Sequence, residues 1–161
     1  MPMLIDRLKA GQIRYLGFSA HTEEAALAAM DRFDFASALF PVNFACFHNT
    51  GFGPRIMEAA IEKGVARLAL KAMAKGRWSK GDPRIEQYPK CWYDPIGDPE
   101  TAALALRWTL SQPVTAAVPP GDERLFRIAM DTAEGPLDLS PEEEDRLMQT
   151  AGAAPALFPQ P

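Results

Sequence analysis

One repeated unit constrains this chain most: a short apolar run, a polar turn, then the start of a helix. It is clearest at Gly11–Thr22, where Ile13–Gly17 reads as a buried strand and Ser19, His21 and Thr22 form the turn. Thr22 suits an N-cap, and Glu23 and Glu24 suit the positive end of a helix running to Asp31. The unit returns three times. Ala36–Asn43 predicts a strand ending near Pro41, which cannot donate to a ladder. An aromatic loop, Phe44–Gly51, leads to a helix at Arg55–Lys63, with an apolar stripe at 56, 57, 60 and 61 and Gly64 as its stop. Val65–Leu70 is the third strand and runs into a basic loop, Lys71–Trp78. The fourth strand is Val114–Val118, followed by the turn Pro119–Glu123 and a helix from Leu125.

Strands alternating with helices predict an α/β fold with a parallel sheet and right-handed crossovers. In such a sheet, ligands bind at the carboxyl ends of the strands. Ser19, Asn43, Lys71 and Gly121 all fall there. Between the third strand and the helix Pro99–Leu110, residues 79–98 show no period. Their prolines and aromatics predict a long ordered loop, a feature that is often functional. Ser140 and Glu143 form a capping box for a final helix. Residues 1–150 are expected as one domain and 151–161 as a flexible tail. The opening helix, Met3–Lys9, has no N-cap and no strand ahead of it, and reads as the continuation of something.

Composition narrows the partners. The chain has 161 residues and a net charge of −4, without a basic run, so a nucleic-acid partner is not expected. No apolar stretch nears the roughly 20 residues of a membrane span, and the N-terminus lacks the features of a signal peptide. Cys46 and Cys91 read as free thiols of a cytoplasmic chain. Two Cys and two His at unrelated spacings do not make a metal site.

Four pieces in order carry a resemblance: Gly11–Ser19, Phe40–Asn43, Gly64–Met73 and Val114–Pro119. They resemble the stretches around the fifth to eighth strands of the aldo-keto reductases, NAD(P)(H)-dependent oxidoreductases built on a (β/α)8 barrel. The likeness covers roughly residues 3 to 150. It implies a partial TIM-like barrel of four parallel βα units plus a C-terminal helix, and a parent chemistry of hydride transfer from NADPH or NADH to an aldehyde or ketone. The family's catalytic aspartate, tyrosine, lysine and histidine lie on its first four strands, which are absent here. No residue therefore receives a catalytic role, and the isolated chain is expected to be inactive.

The resemblance places the cofactor on Ser19, Asn43, Lys71, Gly121 and Arg124. Ser19 matches the serine that holds the nicotinamide amide, with Ala20 where the family has asparagine. Leu39 stands for the family's glutamine and Leu70 for its stacking aromatic. Lys71 would face the pyrophosphate, and Gly121 and Arg124 lie in a shortened version of the turn that binds the adenosine phosphate. Plainer roles stand beside these. Ser19 can support the next helix, Asn43 can cap a turn, and Arg124 can pair with a neighbouring acid. Lys71, Lys75 and Arg77 can be a solvated loop, His21 a turn residue, and Trp78, Trp92 and Tyr93 loop anchors.

Four parallel strands alone leave two open edges and an uncovered inner face, which is costly. The expected resolutions are self-association or a complementing barrel half, rearrangement into an open doubly wound sheet, or a truncated product. The alternative function is accordingly a non-catalytic nucleotide-binding or self-assembling half barrel.

Overall fold

In the structure, a computed structural model, residues 1–151 and 157–158 are described. Four strands form one parallel sheet in the order β1 (Gly17–Ser19), β2 (Ser37–Pro41), β3 (Ala66–Leu70), β6 (Ala116–Ala117). Each is followed by a helix: α2 (Glu23–Arg32), α3 (Pro54–Glu62), α4 (Pro99–Ser111) and α5 (Glu123–Ala133). The chain order of the strands is also their spatial order, so the sheet has no switch point of the kind a doubly wound sheet needs.

Register separates the two faces. Ala38 and Phe40 on β2 and Ala69 on β3 are fully buried. The alternate row, Leu39, Leu68 and Leu70, is only half-buried, and Ser19 and Ala116 beside it are exposed. One row is closed off from solvent and the other keeps part of its exposure except at Pro41, as in the arc of a half barrel.

Local chemistry explains the helix starts. Thr22 Oγ1 accepts from the Ala25 N–H at 3.2 Å. The Asp98 carboxylate accepts from the Thr101 N–H at 2.9 Å and its hydroxyl at 2.6 Å. Ser140 and Glu143 bond reciprocally, at 3.2 and 2.9 Å, and open α6 (Pro141–Ala151). α1 (Pro2–Lys9) buries none of its residues.

Several expectations are corrected. β1 begins at Gly17, not Ile13; Tyr15 lies ahead of the strand and is 77% exposed. Ahead of Gly17 the pairing is reduced to one bond, the Leu16 carbonyl accepting from the Ala36 N–H at 2.7 Å. The fourth strand shrinks from Val114–Val118 to Ala116–Ala117, although the Thr115 and Val118 N–H groups still donate to the Arg67 and Ala69 carbonyls at 2.7 and 2.8 Å. The aromatic loop Phe44–Gly51 is helical, with a π-helical turn at Cys46–Thr50 closed by Gly51 at φ 65°. Ile61 is exposed, so the stripe of α3 is narrower than its apolar spacing predicts. The basic loop hides β4 (Ala74–Gly76), paired antiparallel with β5 (Asp94–Pro95) from the ordered loop, whose middle holds a 3-10 turn at Pro83–Gln87. Most of the expected tail, 152–156 and 159–161, lies outside the described residues; Leu157 and Phe158 are described and buried.

Candidate functional site

The carboxyl ends of the four strands form one rim. Ser19 closes β1, Asn43 follows β2, Lys71 follows β3, and Gly121 follows β6. Ser19 is level with Leu39 and Leu68, so Lys71 stands two strands across and three residues further along, roughly 14 Å away. The parallel register thus places the sequence-predicted residues at one end of the sheet. What each side chain does there differs.

Asn43 is engaged inside the chain. Its amide donates to the Lys71 and Ala74 carbonyls, both at 2.8 Å, and its Oδ1 accepts from the Cys46 N–H at 3.1 Å. Buried to 1% exposure, it staples the turn after β3 to the helical turn after β2. That turn needs a staple. Lys71 sits at φ 66°, the left-handed region where non-glycine residues are uncommon.

The Lys71 ammonium rests on two rings, 4.9 Å from the Trp92 centroid and 4.5 Å from that of Tyr93. Burial lowers its pKa, and the nearby Cys91 acts in the opposite sense. Tyr93 is itself buried, and desolvation first, then the nearby Cys91, hold its hydroxyl protonated far above neutrality. Trp92 remains 58% exposed. Trp78 is an anchor, donating to the Cys91 carbonyl at 2.9 Å.

The turn after β6 is filled by its own acid. Asp122 N-caps α5, accepting from the N–H groups of Arg124 at 3.1 Å and Leu125 at 3.4 Å. Its carboxylate also holds the Arg124 guanidinium, at 3.1 Å through Nε and 2.9 Å through Nη2. Arg124 donates further to the Gln87 carbonyl and lies over the Tyr88 ring, 4.6 Å from its centroid. The Arg124 hydrogen bond is the main reason the Asp122 carboxyl titrates below the usual range. A carboxylate already occupies the helix terminus where a phosphate would sit.

The fit to a nicotinamide nucleotide is therefore uneven. Ser19 is exposed, and its hydroxyl has no hydrogen-bond partner among the described residues, as an amide-binding group requires. The phosphate end does not fit unless Arg124 leaves Asp122.

Sequence reasoning missed two contributors. Glu23 is buried and catches the next unit, its carboxylate accepting from the Gly53 N–H at 3.3 Å and pairing with Arg55 at 3.4 Å. Phe158 comes from far along the chain to stack on Phe52, with centroids 5.4 Å apart, and it approaches His21 at 5.6 Å and Trp92 at 6.3 Å. Beneath it, burial pushes the Cys46 thiol up to about 12, although the Phe158 N–H acts in the other direction. The buried glutamate had a signal, a second acid directly after a cap; Phe158 had none.

No protein-family model and no curated protein sequence matches this chain. A solved structure does: a thermostable aldo-keto reductase crystallised with the inhibitor epalrestat, at a TM-score of 0.55 and 18% identity. The match covers 91% of this chain and 52% of that one, so the chain spans about half the length of the protein it resembles. The fold is thus α/β with a four-stranded parallel sheet, consistent with half of an aldo-keto-reductase barrel. Among the described residues, no helix is long and apolar enough to cross a membrane.

Proposed function

We propose that this chain is the nucleotide-facing half of a carbonyl-reductase barrel, binding the nicotinamide end of NADPH or NADH without reducing a carbonyl alone. The observation that carries this reading is the rim itself. The exposed Ser19 and the Lys71 cation lie at the carboxyl ends of parallel strands, and the exposed Trp92 ring lies against Lys71. Ser19 would accept or donate at the carboxamide, and Lys71 with Trp92 would flank the ring and its nearest phosphate. When bound, the cofactor would supply the hydride. The proton for a nascent alkoxide must come from an acid, and Tyr93, beside Lys71, is buried and held protonated far above neutrality.

The filled turn at Asp122 supports weak binding, with a dissociation constant of roughly 0.1–1 mM. The test is a titration of NADPH and NADH into the purified chain, followed by tryptophan fluorescence, with a parallel aldehyde assay. Quenching without turnover is expected, and Ser19→Ala should weaken it severalfold. Turnover by the chain alone overturns the missing-acid reading; absence of binding at several millimolar overturns the nucleotide reading. A cytoplasmic site is part of the proposal, resting on the two free thiols Cys46 and Cys91.

A further inference from the structure

The inner face of the sheet, its two edges and the helices beside them carry apolar side chains that keep part of their exposure. Leu39, Leu68 and Leu70 lie half-buried on that face, and β1 and β6 each have a strand neighbour on one side only among the described residues. Beside the β1 edge stand Met3 and Leu4 of α1 and Tyr15, exposed by 68%, 41% and 77%. Beside the β6 edge stand Val118 and, on one face of α5, Phe126 and Met130, exposed by 41%, 46% and 48%. Met130 lines an apolar groove with Ala117 and Pro119 and with Leu106 and Leu110 of α4, so part of this stripe borders α4.

We propose that a second copy of this chain occupies this surface, and that two copies close an eight-stranded parallel barrel about a two-fold axis, β6 of each pairing with β1 of the other. The proposal deepens the half-barrel reading above and rests on it, but not on nucleotide binding. Eight strands is the number at which such a barrel fills its own interior. Two-fold symmetry pairs both open edges at once and leaves none exposed.

Area and charge favour a copy of this chain. Six half-exposed apolar side chains contribute on the order of 600 Å². The strip of sheet adds roughly 300 Å². Together these exceed the ~800 Å² per partner of a specific interface. Helices of a parallel barrel all run against its strands, so α1 of one copy and α5 of the other lie parallel with their C-terminal turns at the same end. Those turns are complementary. α1 ends in Arg7 and Lys9, and α5 carries Asp131 with Glu134 directly after it. α1, which buries nothing in the monomer, would lie against the Phe126 and Met130 stripe.

The experiment is light scattering with sedimentation on the full chain, from about 1 to 100 µM. A particle of twice the 17.7 kDa chain mass is expected. Leu68→Asp on the inner face should leave only monomer. Reversing α1 (Arg7→Glu with Lys9→Glu) or α5 (Asp131→Lys with Glu134→Lys) should each weaken the dimer about tenfold. Combining the two reversals should restore it, and this readout needs only surface substitutions, so it stands even where the Leu68 variant fails to fold. A folded monomer at every concentration overturns the proposal and leaves the surface to a different barrel half. A dimer indifferent to both reversals and to Leu68→Asp overturns it equally. Nucleotide is absent from every sample, so this result and the cofactor titration fail independently.

Discussion

The two faces of the one sheet obey different rules. On the helix side, Ala38, Phe40 and Ala69 have no exposure at all; on the opposite side, Leu39, Leu68 and Leu70 of the same strands keep part of theirs. The first face is complete within the chain. The second is apolar too, but only its Pro41 end is fully closed off, and its leucines keep part of their exposure. A strand alternates its side chains strictly, so both faces were written by the same ten residues of β2 and β3. The difference lies in what packs against them.

The largest test of that contrast is Phe40→Ala, which should cost about 3–5 kcal/mol in urea unfolding through the cavity it leaves. Leu68→Ala should cost less, about 2 kcal/mol, in dilute solution, because part of that residue already meets water. If the inner face is covered by a second copy, the Leu68→Ala cost should rise with protein concentration while the Phe40→Ala cost does not. Equal costs at low concentration would break the comparison.

Next comes Asn43→Ala, expected to cost about 2–3 kcal/mol, since it strands the Cys46 N–H and the carbonyls of Lys71 and Ala74. Hydrogen exchange should quicken at 71–76 before it changes in the helices. Asp122→Ala should cost about 1 kcal/mol as a lost cap. By releasing Arg124 it should also tighten NADPH binding more than NADH binding, which a paired titration would read. The smallest effect is Arg146→Ala, which removes an exposed pair with Glu100 and should change stability by less than about 0.5 kcal/mol.

Acid sensitivity follows from the caps. Hydrogen bonds from the Thr101 hydroxyl and N–H lower the Asp98 pKa, and the Arg124 bond lowers that of Asp122. A carboxyl with a depressed folded pKa stabilises fully above its unfolded pKa of about 4, and that contribution is lost as pH falls below it. Unfolding free energy should therefore drop below about pH 4, and less steeply in Asp122→Asn.

Thr22 and the Ser140–Glu143 box were legible because capping acts among neighbours in sequence; Asp98 and Asp122 cap by the same local chemistry but were not read as caps. The parallel order of strands was legible because helices separate them and a crossover has one hand. Residue type and spacing likewise brought Ser19, Asn43, Lys71 and Gly121 to one rim. The tertiary structure alone decided what those side chains meet. Asn43 binds main chain 28 and 31 residues away, Lys71 lies on rings from a loop with no period, and Phe158 reaches back to Phe52. It also decided where β1 and β6 stop: each is an edge held by ladder bonds on one side only, and each ends short of its longer neighbour.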